Sequence, residues 1–369
     1  MKKIVSLILL TFLAALIIPA LSGGRTAAQS PTGPQGGAPP PKGAAPQNPA
    51  TPPQQAPQAG VSIAVEVPVV TLDVVATTQH GDILTGLKKE NFRITDEGVP
   101  QTITNFGPTD APITMVMLLE FSSRGWGGFF AGYAKYWSAY LFPQLKPQDW
   151  VALETFDMKT RLEVDFTQNK SEVMDGINHL YFPGFSESNV FDALLETTDR
   201  LKDVKGKKSI LLMASGVDTF SKHTLDQTMK KLRQSDVTIF CVGLGQVFQN
   251  AVDVNQFGGM GEIQRMNYLQ AENQLKTFAR ETGGQAWFPQ FEGEMPGVFQ
   301  DVTAFLRHQY SISYTPTNGA KDGKFHKVKI ELVKPDGSPL VVVDQKGKKQ
   351  KYVVYAREGY DAQKTGTGD

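Results

Sequence analysis

The chain contains a single cysteine, Cys241, among its 369 residues. One cysteine excludes an intramolecular disulfide. It lies in the apolar run 237–244, so we interpret it as a small buried side chain and not as a reactive thiol. Excess charge of either sign is also missing, because 37 basic and 37 acidic side chains cancel. With no basic patch in any segment, the composition argues against a nucleic-acid partner.

Signatures of catalysis are absent from the sequence as well. It contains no Gly-x-Ser-x-Gly elbow, no His-Glu-x-x-His and no phosphate-binding glycine loop with a lysine. The five histidines are scattered, and we expect His308 and His326 on surfaces or strand faces. We therefore predict a protein that is not an enzyme, and a hydrolase stays open as an alternative.

The N-terminus has the features of an export signal. Two lysines precede an apolar run at residues 4–20, and small residues lead to Ala28. We predict that residues 1–28 are a signal peptide and that the protein is exported to the periplasm, the cell surface or the medium. The apolar run is short for a membrane span, and an uncleaved N-terminal anchor is the alternative.

Residues 29–60 have the composition of a linker. They are mostly proline, glycine, alanine and glutamine, with one charged residue, Lys42. Such a segment cannot bury enough apolar surface to offset the entropy of ordering, and its prolines favour extended conformations. We predict a disordered, Pro-rich spacer that holds the folded part away from the N-terminus. A Pro-rich ligand for a partner domain is the alternative.

Both ends of the folded part show the alternation of β-strands. Residues 61–110 contain apolar runs of period two, and the turn residues at 96–98 predict a hairpin. Residues 308–360 show the same alternation. Since the first segment is too short to be stable alone, we expect both to form one small β-sandwich-like unit beside the central domain. Residues 361–369 are predicted to be a flexible tail.

The middle segment, residues 111–307, alternates strands and helices. The continuous apolar run 114–119 predicts a parallel strand that is covered on both faces, and 189–201 predicts a helix. Repeated units of this kind form a doubly wound, mostly parallel α/β sheet of Rossmann-like type. Ligands of such sheets bind beyond the carboxyl ends of the strands, where residues 120–124 and 215–218 fall.

Three local patterns lie near this edge. Asn189, with Asp192 at the third position of the following helix, is interpreted as a helix N-cap. The Met- and Gly-rich segment 255–268 is interpreted as a loop, either an adaptable contact or a surface insertion. Trp126 lies on a glycine-rich turn and is a candidate partner contact; a tryptophan folded back onto its own domain is the alternative.

The turn that ends the first central strand, Glu120-Phe-Ser-Ser-Arg124, resembles Asp-x-Ser-x-Ser. That motif opens the metal-ion-dependent adhesion site of von Willebrand factor type A domains, and the order of elements in residues 111–307 is similar to theirs. With the flanking motifs, residues 65–360 resemble exported type A-related proteins of the acidobacterial type. Those motifs lie at residues 69–106, 282–284, 310–316 and 357–360. The resemblance implies the type A fold for the middle segment.

In an intact site of this family, the resemblance implies a divalent ion held by oxygens from three loops. The first aspartate falls on Glu120, the serines on Ser122 and Arg124, the threonine on Ser188 and the later aspartate on Ser215. Only Ser122 is unchanged. Ser215 removes a negative charge and Arg124 adds a cation beside the ion, which is unfavourable in a poorly solvated cleft. We therefore expect a degenerate site without metal or other cofactor.

We expect Arg124 to pair with Glu120 or Asp218 and to take the place of the ion. The predicted function is a non-enzymatic protein–protein interaction or adhesion module of the cell envelope, whose protein partner in the envelope or outside the cell is unknown. A divalent-cation-dependent adhesin is the alternative, with weakly bound Mg²⁺ or Mn²⁺ on Glu120, Ser122 and Ser188. The candidate binding residues are Glu120, Ser122, Arg124, Trp126, Ser188, Ser215 and Asp218.

Overall fold

A computed structural model describes the part of the chain that carries the predicted folded segments. The predicted signal peptide and linker lie outside the described residues, and so do Arg124 and Trp126. Within the described part, no helix is both long and apolar enough to cross a membrane. The described residues are 69–109, 111–122, 136–180, 184–247, 250, 262–317, 323–344 and 346–362.

The elements of the described residues are numbered in chain order. The strands are β1 (Val70–Thr78), β2 (Phe92–Asp96), β3 (Val99–Gln101), β4 (Ile103–Pro108), β5 (Thr114–Glu120), β6 (Trp150–Phe156), β7 (Thr160–Thr167), β8 (Lys208–Ala214), β9 (Thr238–Gly243), β10 (Ala286–Trp287), β11 (Tyr310–Tyr314), β12 (Phe325–Leu332), β13 (Val342–Val343), β14 (Lys349–Gln350), β15 (Tyr352–Tyr355) and β16 (Gly359–Asp361). The helices are α1 (136–141), α2 (Lys170–Asn178), α3 (Val190–Arg200), α4 (Leu225–Gln234), α5 (245–247), α6 (Glu262–Thr282) and α7 (Met295–Arg307).

Six strands form the central sheet in the order β10-β9-β8-β5-β6-β7, and only β7 runs antiparallel to its neighbour. Successive residues of β5 point to opposite faces. Met115 and Met117 therefore pack with Trp137 of α1 and with α2 and α7, whereas Val116 and Leu118 pack with α3, α4 and α6. This burial on both faces explains the continuous apolar run of β5 and confirms the predicted α/β fold with a mostly parallel sheet.

Two antiparallel sheets flank the central domain. One has the order β15-β1-β11-β4 and the other β16-β12-β2-β3, so each combines strands from both ends of the chain. Leu72, Ile94, Ile312 and Leu332 lie between them in one fully buried core. The predicted β unit therefore forms from residues on both sides of the central domain. We call these two sheets the frame.

The frame packs against the central domain through α7. Val75 of β1 belongs to the same apolar cluster as Met115 and Val302, and the rings of Phe305 and Tyr355 meet edge to face at 5.0 Å. Each sheet of the frame thus buries one face against the other sheet, and β1 and β15 also pack against the α/β domain. This explains how so small a β unit is stable.

One prediction about local structure is wrong and another is confirmed. The segment 255–268 was predicted to be a loop, but Glu262 begins helix α6, which is 21 residues long; residues 251–261 lie outside the described part. The prediction of His326 on a surface or strand face is confirmed in its second form: His326 lies on a face of β12 and is buried there, with Nδ1 3.2 Å from Oδ1 of Asp96. The alternation of β12 places His326 on the inner face, where the Asp96 carboxylate provides a polar partner.

Candidate functional site

The sheet order fixes where side chains from distant segments meet. After β5 the chain adds β6 and β7 on one side and then β8, β9 and β10 on the other. Strand order therefore reverses between β5 and β8, and a crevice opens at the carboxyl ends of these strands. Leu119 lies opposite Met213 in this register, so Glu120, which ends β5, and Ser215, which follows the last residue of β8, lie close enough to form hydrogen bonds.

Glu120 lies at the centre of this crevice and is 3% exposed. Its Oε2 accepts hydrogen bonds from the backbone N–H of Ser215 at 2.7 Å and from Ser215 Oγ at 2.8 Å. Its Oε1 accepts one from Ser122 Oγ at 3.2 Å. The carboxylate is therefore held by three donors of its own chain, two of them from the adjacent strand end.

Burial raises the pKa of Glu120 above its ordinary value, although the hydrogen bonds from Ser215 and Ser122 act in the opposite direction. A nearby hydroxyl, that of Ser188, also lowers it. In the folded protein the proton is therefore retained to higher pH than on an ordinary glutamate. The hydroxyl groups and the N–H of Ser215 stabilise the carboxylate but do not fully replace the lost water.

The substitution Glu120→Gln is expected to become more favourable for stability, relative to the native chain, as the pH rises. Because the folded-state pKa is raised, the native protein loses stability as pH rises from the ordinary value of 4.5 towards the raised value. Glu120→Gln has no such loss, so its melting temperature relative to the native chain is expected to increase across this window. Thermal denaturation followed by circular dichroism from about pH 4 to about pH 8 measures it. A difference that falls with pH would contradict the assignment.

Ser188 reaches the site from the loop before α3. Its backbone N–H donates to Thr219 Oγ1 at 2.9 Å, and its carbonyl oxygen accepts from the N–H groups of Thr219 and Phe220. These bonds fix the loop before α3 to the loop after β8. The Ser188 hydroxyl is buried beside Glu120, close enough to lower the pKa of that carboxyl but outside hydrogen-bond geometry with any described residue.

Asn189 does not cap α3 with its side chain, contrary to the sequence interpretation. Its Nδ2 instead donates to the carbonyl of Met158 at 2.9 Å. The first turn of α3 is capped from outside, because Asp218 Oδ1 accepts from the N–H of Phe191 at 3.3 Å. A partner so distant in sequence is invisible to a local capping pattern.

Asp218 and Asp192 both accept hydrogen bonds that connect α3 to the loop after β8. Asp218 accepts from Ser221 Oγ at 2.5 Å, and burial together with nearby Asp192 raises its pKa. Asp192 accepts from the N–H of Lys222 and from His223, and these bonds outweigh the effect of burial and lower its pKa. In the described residues, Asp218 is therefore engaged with α3 and its own loop and not with Glu120.

Sequence reasoning missed the pair formed by Asp157 and Arg161. Asp157 is fully buried just beyond β6, at the same sheet edge, and both of its oxygens lie 2.9 Å from Arg161 Nη2. Its carbonyl accepts from the N–H of Asn189, which ties this turn to the Ser188 loop. The position after a buried parallel strand could have identified Asp157, because polar residues there gather at the carboxyl edge.

The predicted site residues thus fall into three groups. Glu120, Ser122 and Ser215 are joined by hydrogen bonds, with Ser188 beside them; Asp218 lies apart; Arg124 and Trp126 are outside the described residues. Within the described part, no group of three or more histidine, cysteine, aspartate or glutamate side chains is placed to hold a metal ion. We call Glu120, Ser122, Ser188 and Ser215 the edge cluster.

Comparison with known proteins supports the fold. Residues 135–281 match the model of the von Willebrand factor type A domain, a span that contains Ser188 and Ser215 but begins after Glu120 and Ser122. No curated protein sequence gives a significant match.

Several solved structures resemble the chain at low sequence identity. An aerotolerance-related membrane protein from Bacteroides fragilis is 10% identical, with a TM-score of 0.39, over 53% of this chain and 99% of that one. The vWF domain of the type V pili tip protein Mfa5 from Porphyromonas gingivalis is 11% identical, with a TM-score of 0.38, over 54% and 96%. The PilB minor pilin from Streptococcus sanguinis is 10% identical, with a TM-score of 0.40, over 55% and 63%.

The family match and the strand order agree on the central part of the chain. A mostly parallel sheet with helices on both faces, and a polar cluster at the reversal of its strand order, are found within and beside the matched span. Residues 135–281 therefore match a von Willebrand factor type A domain, and the α/β fold that contains them is of that type.

Proposed function

We propose that the protein is an exported, non-enzymatic interaction or adhesion module of the cell envelope, of the acidobacterial type A-related kind, which binds a protein partner without a metal ion. One observation carries this proposal: the carboxylate of the edge cluster already accepts three hydrogen bonds from Ser122 and Ser215. The partner would then meet a surface made only of protein groups.

The edge cluster fits a magnesium ion poorly. Mg²⁺ requires oxygen ligands in near-octahedral geometry and is usually bound through carboxylates. The cluster offers one carboxylate, Glu120, whose burial favours the protonated form. Ser215 provides a hydroxyl where the family has an aspartate, and this hydroxyl donates to Glu120. The unpartnered hydroxyl of Ser188 is one neutral oxygen and does not replace the missing charge.

Exposed aromatic side chains beside the cluster support a protein partner. Phe185 and Phe220 are 43% and 54% exposed, and they lie in the two loops that the hydrogen bonds of Ser188 join. Aromatic residues contribute a large share of binding free energy at protein interfaces, especially around a desolvated centre. We assign these two phenylalanines to the contact surface of the partner.

A metal titration of the full chain tests the absence of an ion site. Calorimetry with MgCl₂ and MnCl₂ is expected to show no sub-millimolar binding. The matched control restores the family pattern with the triple substitution Glu120→Asp, Arg124→Ser and Ser215→Asp, and we expect it to gain measurable binding because two charge defects are removed. Sub-millimolar binding to the native chain that is lost in Glu120→Ala would show the cation-dependent alternative to be correct.

A capture experiment tests the contact surface. The native chain is used as bait in envelope extracts, in the presence and absence of EDTA, beside Phe220→Ser and the control Trp150→Ser. Trp150 is exposed at the opposite end of the sheet, where β6 begins. We expect retained proteins to be lost with Phe220→Ser, by roughly tenfold for an interface anchor, and to be kept with Trp150→Ser and with EDTA. Equal capture by both variants would place the interface elsewhere.

A further inference from the structure

Two of the flanking sequence motifs, residues 282–284 and 357–360, meet where the end of α6 lies against the frame. Gly283, at the end of α6, has a positive φ of 82°, and a Cβ there would lie 2.7 Å from the backbone nitrogen of Arg357. Gly359 of β16 lies even closer to the neighbouring strand β12, since a Cβ there would fall 2.1 Å from the carbonyl oxygen of His326. Gly283 therefore allows the backbone of Arg357 to lie against the end of α6, and Gly359 allows β16 to lie against β12.

Arg357 lines a groove of about 530 Å³ between the frame and the end of α6. Val328, Ile330 and Val354 supply apolar lining from β12 and β15. This volume lies within the range of pockets that bind small molecules. Its charged lining residues are four cations and two acids: Arg280, Lys327, Lys329, Arg357, Glu97 and Glu358.

The positive charge of Arg357 is only partly compensated by other groups of the protein. Its guanidinium donates to the carbonyl of Ser235, and among the described residues no carboxylate lies within ion-pair distance of it. Asp73 and Asp236 attract it from further away, but they form ion pairs with Lys207 at 3.4 Å and Lys208 at 2.8 Å. Burial lowers the pKa of Arg357, which shows the cost of holding this cation in partial isolation.

The acids of the groove are also engaged. Glu358 pairs with Arg280 at 2.9 Å, and Glu97 accepts a hydrogen bond from the backbone N–H of Lys327 at 2.5 Å. The ammonium group of Lys327 forms no ion pair with any described residue. Lys329 pairs with Glu331 outside the groove at 2.7 Å, but Arg357 and Lys327, the latter on the exposed face of β12, form no ion pair with a described residue. The groove therefore keeps an excess of positive charge.

We propose that this groove, the Arg357 groove, binds a small oxyanion, either a carboxylate or a phosphate. Guanidinium presents five N–H donors in a planar fork that matches both groups, and most of these donors have no partner within the described residues. The apolar lining favours an oxyanion that is carried on a small organic molecule. This site is separate from the edge cluster and does not depend on the proposed partner.

Titration of the full chain with two probes tests the proposal. Inorganic phosphate and hexanoate are added separately at constant ionic strength set with sodium chloride, and binding is followed by calorimetry and by the Nε–Hε signals of the arginines in NMR spectra. We expect at least one probe to bind and to shift the Arg357 signal. Phosphate alone would identify the phosphate form of the ligand, and hexanoate alone would identify the carboxylate form.

Three variants locate the binding. Arg357→Gln is expected to weaken it by at least roughly tenfold, since a charge-assisted bidentate contact is lost. Lys327→Gln is expected to weaken it by roughly threefold, as for one exposed charge. Lys276 is an exposed lysine of α6, and Lys276→Gln is expected to leave the binding unchanged. If Arg357→Gln does not fold, the proposal is tested by the NMR shift of Arg357 and by the effect of Lys327→Gln on binding. Absence of binding by both probes, or binding unaffected by Lys327→Gln without a shift of Arg357, would overturn the proposal.

Discussion

Alanine at Gly284 is expected to lower the free energy of unfolding by about 3 kcal/mol, near the upper end for an overpacked position. A Cβ there would lie 2.0 Å from the carbonyl oxygen of Ile239 and 2.8 Å from its carbonyl carbon. Both atoms belong to the backbone of β9 and cannot rotate away. The N–H of Gly284 donates to Ala279 at 2.8 Å, which fixes the turn from α6 into β10.

Chemical denaturation of Gly284→Ala measures this loss, and Gly297→Ala is the matched control. Gly297 lies in the first turn of α7, where an added Cβ meets nothing within 4 Å. Because glycine costs more backbone entropy than alanine in a helix, Gly297→Ala is expected to stabilise the protein by about 0.5–1 kcal/mol. Two equal effects from the substitutions would contradict the close approach at Gly284.

Removal of the Asp149 side chain is expected to cost about 3–5 kcal/mol, the range for breaking one partner of a buried ion pair. Asp149 is fully buried, and Oδ1 accepts from the N–H of Ile113 at 2.9 Å while Oδ2 accepts from the N–H of Lys146 at 2.6 Å. Both oxygens also contact the guanidinium of Arg307 from α7. Asp149→Ala leaves this cation and two backbone donors without a partner.

The same pair predicts a pH dependence. Burial alone would raise the pKa of Asp149, but the hydrogen bonds from Arg307, Ile113 and Lys146 together lower it below the ordinary 3.8. A lowered acid pKa contributes stability above the unfolded-state value, and this stability is lost as pH falls through the folded-state value. Below pH 3.8 the difference in unfolding free energy between the native chain and Asp149→Asn is therefore expected to shrink. A constant difference would contradict the ion pair.

Local sequence patterns were sufficient for the architecture. The apolar run of β5 predicts a strand that is covered on both faces, and the structure places Met117 and Leu118 in separate cores. The alternation of residues at both chain ends predicts half-buried strands, and β2, β12 and the first half of β1 follow it, whereas the second half of β1 and most of β11 are buried on both faces. These patterns carry the information because each residue's burial repeats with the period of its own element.

Pairings between distant segments could not be predicted in the same way. Asp149 and Arg307 are separated by 158 residues, and Phe191 is capped by Asp218 in place of its neighbour Asn189. The edge cluster was partly predictable, because Glu120 and Ser215 both follow buried strands. Which donor satisfies which acceptor depends on loop geometry in three dimensions, and a one-dimensional pattern does not specify it.

The pairing of β1 with β11 determines how the protein would respond to mechanical load. The chain enters the frame at Val70, opposite Tyr314, whereas β11 is joined to α7 at Tyr310, opposite Val74. Tension between the N-terminal segment and a ligand held by the central domain would pull the two strands from opposite ends of their ladder. That geometry is shear, in which the hydrogen bonds of the antiparallel ladder share the force. A tethered adhesive domain with this connection would resist extension better than one whose strands open one bond at a time.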